Sequence, residues 1–315
     1  MFTWQLDVKT AFLNARLEEV IYCQPVYDQV PIMQTLLEQT RNPVLRTRIA
    51  TQIHDIGLGA VLRLHRAVYG LKQAPRAWWM ELHGFLTSLG FERNPYDACF
   101  YVMHTVTGLF ILLLIYVDDI LIAARTEGLT MHYARALEAR FKIGSAGPLR
   151  HYLNIAITLL QSLYKTHLCM AHYVDQVSKR FRMVPKPAIL TPMQENPHLT
   201  SAEEEEWSAA DAEYFITFEY REKIGCILYY MVCMRPDLAY CVGIFGKFSN
   251  KPTRLACAAV TRVLQYMHNT RNMVLILGRE SARITAYFDS DFAACLDTRC
   301  SIGAYFVFLG FGCVE

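Results

Sequence analysis

Residues 109–124 read LFILLLIYVDDILIAA: seven apolar residues (Leu109 to Ile115), then Tyr116, Val117, Asp118 and Asp119, then five more apolar residues to Ala124. Two adjacent carboxylates inside such a stretch need an explanation. A hairpin built only for burial would carry Asn-Gly or Asp-Gly at its tip. A membrane span would not place two acids at its centre. A β-hairpin whose tip aims carboxylates into a site satisfies both flanks. Carboxylates held that way bind hard cations such as Mg²⁺. Two such ions stabilise the attacking and leaving oxygens of phosphoryl transfer.

The chain around this hairpin has 315 residues, 53% of them hydrophobic and 19% charged, which excludes a disordered chain and allows two or three folded units. Net charge is only +2, yet the cations are bunched. Arg41 to Arg76 holds seven Lys or Arg against Asp55, and Lys247 to Arg283 holds seven against Glu280. Two basic stretches on a near-neutral chain suit phosphate backbones. The ten cysteines are scattered, with no Cys-x-x-Cys and no Cys/His spacing of a zinc site. They read as free thiols, several packed as small hydrophobes, in a reducing compartment and not in a secreted protein.

Outward from the hairpin, Trp4, Leu6 and Val8 alternate with Gln5 and Asp7, the pattern of a strand that ends on an acid. Downstream, Trp78, Leu82, Phe85, Leu86 and Leu89 recur at helical spacing after Pro75, and Gly90 ends the run. Gln73, Pro75 and Arg76 therefore sit at a helix start, where backbone N–H groups favour anions. The Trp78-Trp79 pair reads as core. A second amphipathic helix runs from Glu127 to Phe141. Val26 to Ala60 carries no pattern that fixes its structure. Four prolines (Pro185, Pro187, Pro192, Pro197) mark a linker, and Ser201 with Glu204 forms a capping box ahead of the acidic run Glu203 to Glu206.

Three motifs in this order, Asp7-Val-Lys-Thr-Ala-Phe-Leu-Asn14, Gly70-Leu-Lys-Gln-Ala-Pro-Arg76 and Tyr116-Val-Asp-Asp119, resemble those of copia-type LTR retrotransposon reverse transcriptases. The resemblance implies that Asp7, Asp118 and Asp119 are catalytic and hold two Mg²⁺ ions. It implies that Phe12 blocks a ribose 2′-OH, and that Gln73, Pro75, Arg76 and Tyr116 face nucleotide or template. Near the end, Tyr287-Phe-Asp-Ser-Asp291 and AYFVFLG resemble the opening hairpin of the RNase H domain that follows such polymerases. Asp289 would then be the first ligand of an incomplete RNase H metal site. Two departures are Ala15 and Asn154, each standing where the family has Gly; Asn tolerates the left-handed backbone that Gly would adopt.

The expected fold is α+β. A small antiparallel palm sheet carries the acids on one rim, with helices on its far face. A helical connection and a truncated RNase H-like sheet follow. The expected domains are 1–184, a palm lacking most of its fingers with an insertion near 26–60; 185–280, linker and helical connection; and 281–315, the start of RNase H. The implied function is RNA-directed DNA polymerase, with RNA/DNA template-primer, dNTPs and the rest of a Pol polyprotein as partners and no membrane. The implied location is cytoplasmic, in virus-like particles of an intact element, or nuclear. The alternative is a catalytically inactive remnant with non-specific nucleic-acid binding.

Overall fold

The alternation Trp4, Leu6, Val8 becomes β1 (Phe2–Val8), with Leu6 and Val8 buried and Asp7 on the opposite face. The computed structural model describes residues 1–26, 28–186, 189–194, 199–200, 208–278, 283–310 and 312–314. The chain divides into two units, Met1–Leu149 and Arg150–Glu315.

In the first unit β1 is followed by β2 (Arg16–Cys23), α1 (Gln29–Gln39), α2 (Pro43–Gly57), β3 (Leu62–Arg66) and α3 (Ala74–Ser88). Then come β4 (Glu92–Arg93), β5 (Phe100–His104), β6 (Phe110–Tyr116), β7 (Asp119–Ala124), α4 (Glu127–Arg140) and β8 (Ile143–Pro148). Six strands pair in the order β4-β5-β6-β7-β1-β8, every ladder antiparallel. β2 and β3 form a separate ribbon. One sheet face is apolar because the strands alternate: Leu6, Val8, Ile111, Leu113, Ile120 and Ile122 are all buried. Against it pack Trp78, Leu82 and Leu86 of α3, and Ala134 and Leu137 of α4. The segment whose pattern fixed nothing is a helical hairpin, α1 and α2, capped at Asn42, whose side chain accepts from Val44 N and Leu45 N.

The second unit holds β9 (His151–Tyr152), β10 (Ile155–Leu160), β11 (Lys165–Cys169), α5 (Ala171–Arg180), α6 (Ala209–Phe218) and α7 (Tyr220–Met234). After these come α8 (Ala239–Gly246), α9 (Arg254–Asn269), β12 (Leu275–Gly278), β13 (Ile284–Ser290), β14 (Gly303–Leu309) and β15 (Gly312–Cys313). β12-β11-β10-β9 make one antiparallel sheet and β13-β14-β15 another. α5, α7, α8 and α9 share a core with Tyr230, Phe245, Val260 and Val263 at its centre. The β9–β10 turn is made by Leu153 and Asn154, both left-handed at φ 49 and 64, so the Asn departure sits where its tolerance is used. Arg235 is buried and pairs with Asp237 through two 2.7 Å bonds, and Tyr266 donates to the same carboxylate at 2.9 Å. This network ties the α7–α8 corner to α9.

Both units mix α and β with antiparallel sheets, as the sequence implies. In the second unit β11 pairs with β12 at the edge of the β9–β12 sheet, and α5 packs on α9. The capping box at Ser201 and Glu204, the run Glu203 to Glu206, Pro187 and Pro197 lie outside the described residues, as do Arg279 and Glu280. Among the described residues no helix is long and apolar enough to cross a membrane. The structure holds its cysteines as thiols, with Cys241 and Cys257 buried on helices.

The β6–β7 tip is a two-residue loop, Val117-Asp118, closed by the pair Tyr116 and Asp119. Val117 has φ 56, a left-handed conformation that costs a β-branched residue roughly 1–3 kcal/mol. Two bonds hold it there. The Trp78 indole N–H donates to Val117 O at 2.7 Å, and Val8 N donates to Asp118 O at 2.8 Å. Trp78 is only 3% exposed, so the tip is tied to the core. Trp78→Phe keeps an aromatic group but a smaller one, and removes the donor. It is expected to cost about 1–3 kcal/mol in urea unfolding, from the lost hydrogen bond and the space left in the core.

Candidate active site

Strand pairing alone brings two acids together. β1 and β7 run antiparallel with Asp7 directly opposite Asp119. Both point to the face away from α3 and α4, because their neighbours Leu6, Val8 and Ile120 are the buried ones. Like charges directly opposite on neighbouring strands destabilise a sheet. Asp118 adds a third acid from the loop. The effect is visible on Asp119, whose carboxyl is raised above its ordinary 3.8 by burial first, then by the charges of Asp118 and Asp7. The two charges that raise Asp119 are both negative, so a cation there would relieve repulsion. That is the sense in which these residues fit a divalent metal. Among the described residues, no three His, Cys, Asp or Glu side chains stand as a ready-made metal cage.

Asp7 owes its freedom to a glycine. β8 flanks β1 on the other side, and the register shifts between Asp7 and Val8, leaving Gly144 as the odd residue of a bulge. A Cβ on Gly144 would lie 2.5 Å from Asp7 Oδ2. The carboxylate thus occupies space that any side chain at 144 would take. Neither the bulge nor this contact leaves a mark in the sequence beyond Gly itself.

Beyond Asp7 the chain turns through Thr10, left-handed at φ 51, into a short 3₁₀ turn that carries Phe12. Arg66 fixes this turn by donating to Leu13 O at 3.0 Å and Asn14 O at 2.9 Å. Phe12 is buried, and its ring lies 4.5 Å from that of Tyr69, tilted by 58°. Tyr69 is 58% exposed. Some burial, and then the fields of Asp118 and Asp7, raise its phenol above the ordinary 10.0. Tyr69 therefore contacts the aromatic and feels the charge of the acids. Sequence reasoning passed over it, although it immediately precedes the Gly70 to Arg76 motif.

The remaining sequence-predicted residues are placed as follows. Tyr116 is exposed beside the tip. Pro75 lies in the first turn of α3. Gln73 donates to Glu19 Oε2 at 2.9 Å. Gln73 and Arg76 line, with Arg16, Glu18, Glu19 and Glu81, a groove of about 270 Å³ that includes none of the three aspartates. Trp78 is core, as the sequence suggests, but Trp79 is not: it is partly exposed, stacked on His83 at 4.9 Å with Arg93 over its ring. Asp289 lies on exposed β13 in the second unit, opposite Ala304.

Two measurements check this geometry. Gly144→Ala should keep the fold and displace the Asp7 carboxylate, lowering any metal-dependent activity by roughly 10²-fold. Asp119→Asn should raise the melting temperature at pH 7 by roughly 2–4 °C. The sign follows from the raised carboxyl. The folded state binds that proton more tightly, so the associated stability is fully present below 3.8 and is lost as pH rises through the raised value. The gain of the Asn variant should accordingly vanish near pH 3.

Known proteins resemble this chain over most of its length. The family model described as Reverse transcriptase (RNA-dependent DNA polymerase) matches residues 47–195, a span that contains Tyr69 and Asp118. The chain is 31% identical over 312 residues to the Retrovirus-related Pol polyprotein from transposon TNT 1-94 of Nicotiana tabacum. It is 34% identical over 308 residues to the Retrovirus-related Pol polyprotein from transposon RE2 of Arabidopsis thaliana. Each alignment covers 97% of this chain but only 21% and 19% of the relatives, so the chain spans about a fifth of their length. An uncharacterized mitochondrial protein of Arabidopsis thaliana is 30% identical over 204 residues, 63% of this chain and 78% of that protein. Residues 47–195 thus belong to the reverse transcriptase domain family, in a chain that is similar over 97% of its length to retrotransposon Pol polyproteins.

Proposed function

We propose that residues 1–184 act as a polymerase palm that joins dNTPs to a primer 3′ end along an RNA or DNA template, with Asp7, Asp118 and Asp119 holding two Mg²⁺ ions. The observation that carries this reading is the cross-strand pair Asp7 and Asp119 beside Asp118, a concentration of negative charge on the open face of a sheet. When bound, Mg²⁺ supplies charge neutralisation at the triphosphate and lowers the pKa of the attacking hydroxyl. The chain itself supplies position. The bonds from Trp78 and Val8 hold the acid-bearing tip, and Gly144 leaves room for Asp7.

Phe12 is the group we assign to rejection of a ribose 2′-OH, since a buried ring braced by Tyr69 and the Arg66-held turn cannot move aside cheaply. Gln73, Pro75, Arg76 and Tyr116 are assigned to the nucleotide and template side. Residues 185–280 would form linker and helical connection, and 281–315 the start of an RNase H-like domain with Asp289 as its first metal ligand. The remainder of a Pol polyprotein would be the physical partner, with the whole working inside the cell, in virus-like particles or the nucleus.

Primer extension on poly(rA)/oligo(dT) with Mg²⁺ tests the reading. The wild-type chain should extend the primer, and Asp118→Asn should lose roughly 10³-fold or more of that activity with an unchanged circular dichroism spectrum. Extension that survives Asp118→Asn overturns the metal role. Absence of extension together with steeply salt-dependent, sequence-independent binding would support the inactive-remnant reading instead.

A further inference from the structure

In the second unit the loop between β13 and β14 is closed on itself. Asp291 N donates to Ile302 O at 3.0 Å, Ile302 N donates back to Asp291 Oδ1 at 2.9 Å, and Ser301 Oγ accepts from Ala293 N. Further in, Cys295 N donates to Cys300 O at 3.2 Å, and Arg299 N donates to Cys295 O at 2.8 Å. Two cysteines five residues apart thus have their backbones bonded to each other. Thr298 gathers both sulfurs: its hydroxyl and backbone N–H bond Cys295, and Cys300 Sγ lies 3.8 Å from Thr298 O.

The Cys295 sulfur has a cation on its other side. Lys247, just past the end of α8, brings its Nζ to 3.1 Å from Cys295 Sγ. Cys295 is buried, only 7% exposed. It also lines a cavity of about 340 Å³ with Lys247, Tyr240, Ile244, Phe248 and Gln194. Hydrogen peroxide is small enough to enter such a space. The Thr298 bonds first, then the Lys247 ammonium, bring the thiol from its ordinary 9.0 down to about 6. The buried Cys241 and Cys257 go the other way, pushed up to about 11. Low-pKa thiols beside a second cysteine are the ones that oxidise reversibly.

We propose that Cys295, seated on the Lys247 ammonium, is an oxidation site that reduces hydrogen peroxide and is then closed into a disulfide by Cys300. The thiolate sulfur attacks one peroxide oxygen; an S–O bond forms, the O–O bond breaks, and the departing hydroxide leaves as water after taking a proton from solvent. Cys295 is now a sulfenic acid, oxidised by two electrons. The Cys300 sulfur attacks Cys295 Sγ; the S–S bond forms, the S–O bond breaks, and the hydroxyl leaves with the Cys300 proton as a second water. The disulfide would lock the loop between β13 and β14. Nothing in this step uses the aspartates of the first unit, so it stands apart from the polymerase reading.

The test treats the purified full chain with hydrogen peroxide, blocks remaining thiols with N-ethylmaleimide, and maps the peptides by mass spectrometry. The expected product is a Cys295–Cys300 disulfide, formed while Cys241 and Cys257 stay reduced. Cys300→Ser should instead give a dimedone adduct at Cys295, and Lys247→Met should slow oxidation of Cys295 roughly tenfold. Oxidation of Cys295 no faster than that of Cys241, or an oxidised Cys295 that never pairs with Cys300, overturns the proposal. If Lys247→Met fails to fold, the Cys300→Ser chain with dimedone decides alone, since an unlabelled Cys295 there is the overturning result.

Discussion

Asp7 facing Asp119 across an antiparallel ladder is an unfavourable arrangement, and the first unit is built to sustain it. Two carboxylates on adjacent strands, with Asp118 beside them, repel one another and would separate if the strands could slide or twist apart. They cannot, because the same strands carry the apolar stripe on their other face. Leu6, Val8, Ile120 and Ile122 are buried against α3 and α4, each worth about 1.5–3 kcal/mol. A register slip of one residue would move that stripe to solvent and the acids into the core. The hydrophobic effect therefore fixes the acids in opposition, and the repulsion left over is what a divalent cation can offset.

The same balance explains the strained tip. Val117 is a poor choice for a left-handed loop position, where Gly or Asn would sit without cost. Its conformation is imposed from outside, by the Trp78 donor and the Val8 backbone. A loop held by the core moves less than a relaxed one. Strain of this kind persists where the surrounding structure over-determines it, and here it lies between the two acids of the tip and the core tryptophan.

Much of this was legible in the sequence because the signals were local. Period-two apolarity marked β1, helical spacing marked α3 and α4, and adjacent acids between apolar runs marked the hairpin. The residues that escaped were those whose role comes from a neighbour distant in the chain. Gly144 matters only because a bulge in β8 sets it against Asp7, and Tyr69 only because the Arg66-held turn brings Phe12 to it. Trp79 read as core beside Trp78, yet adjacent helix positions face different ways, and only one of the two meets the sheet. The two helices of 26–60 had weak apolar faces, and Ile49 is their single buried residue among those described, so periodicity had little to report.

By itself, then, the sequence determined β1, the β6–β7 hairpin, α3 and α4 of the first unit, the side of the sheet on which the acids lie, and the family to which the motifs point. These follow from side-chain periodicity and from short motifs read in order. Only the tertiary structure decided that Asp7 stands opposite Asp119, that Gly144 makes room for it, that Cys295 rests on Lys247, and that the first unit closes at Leu149. The physical reason is the same in each case. Register, bulges and ion contacts join residues far apart along the chain, and their energies exist only once the strands have paired and the core has packed.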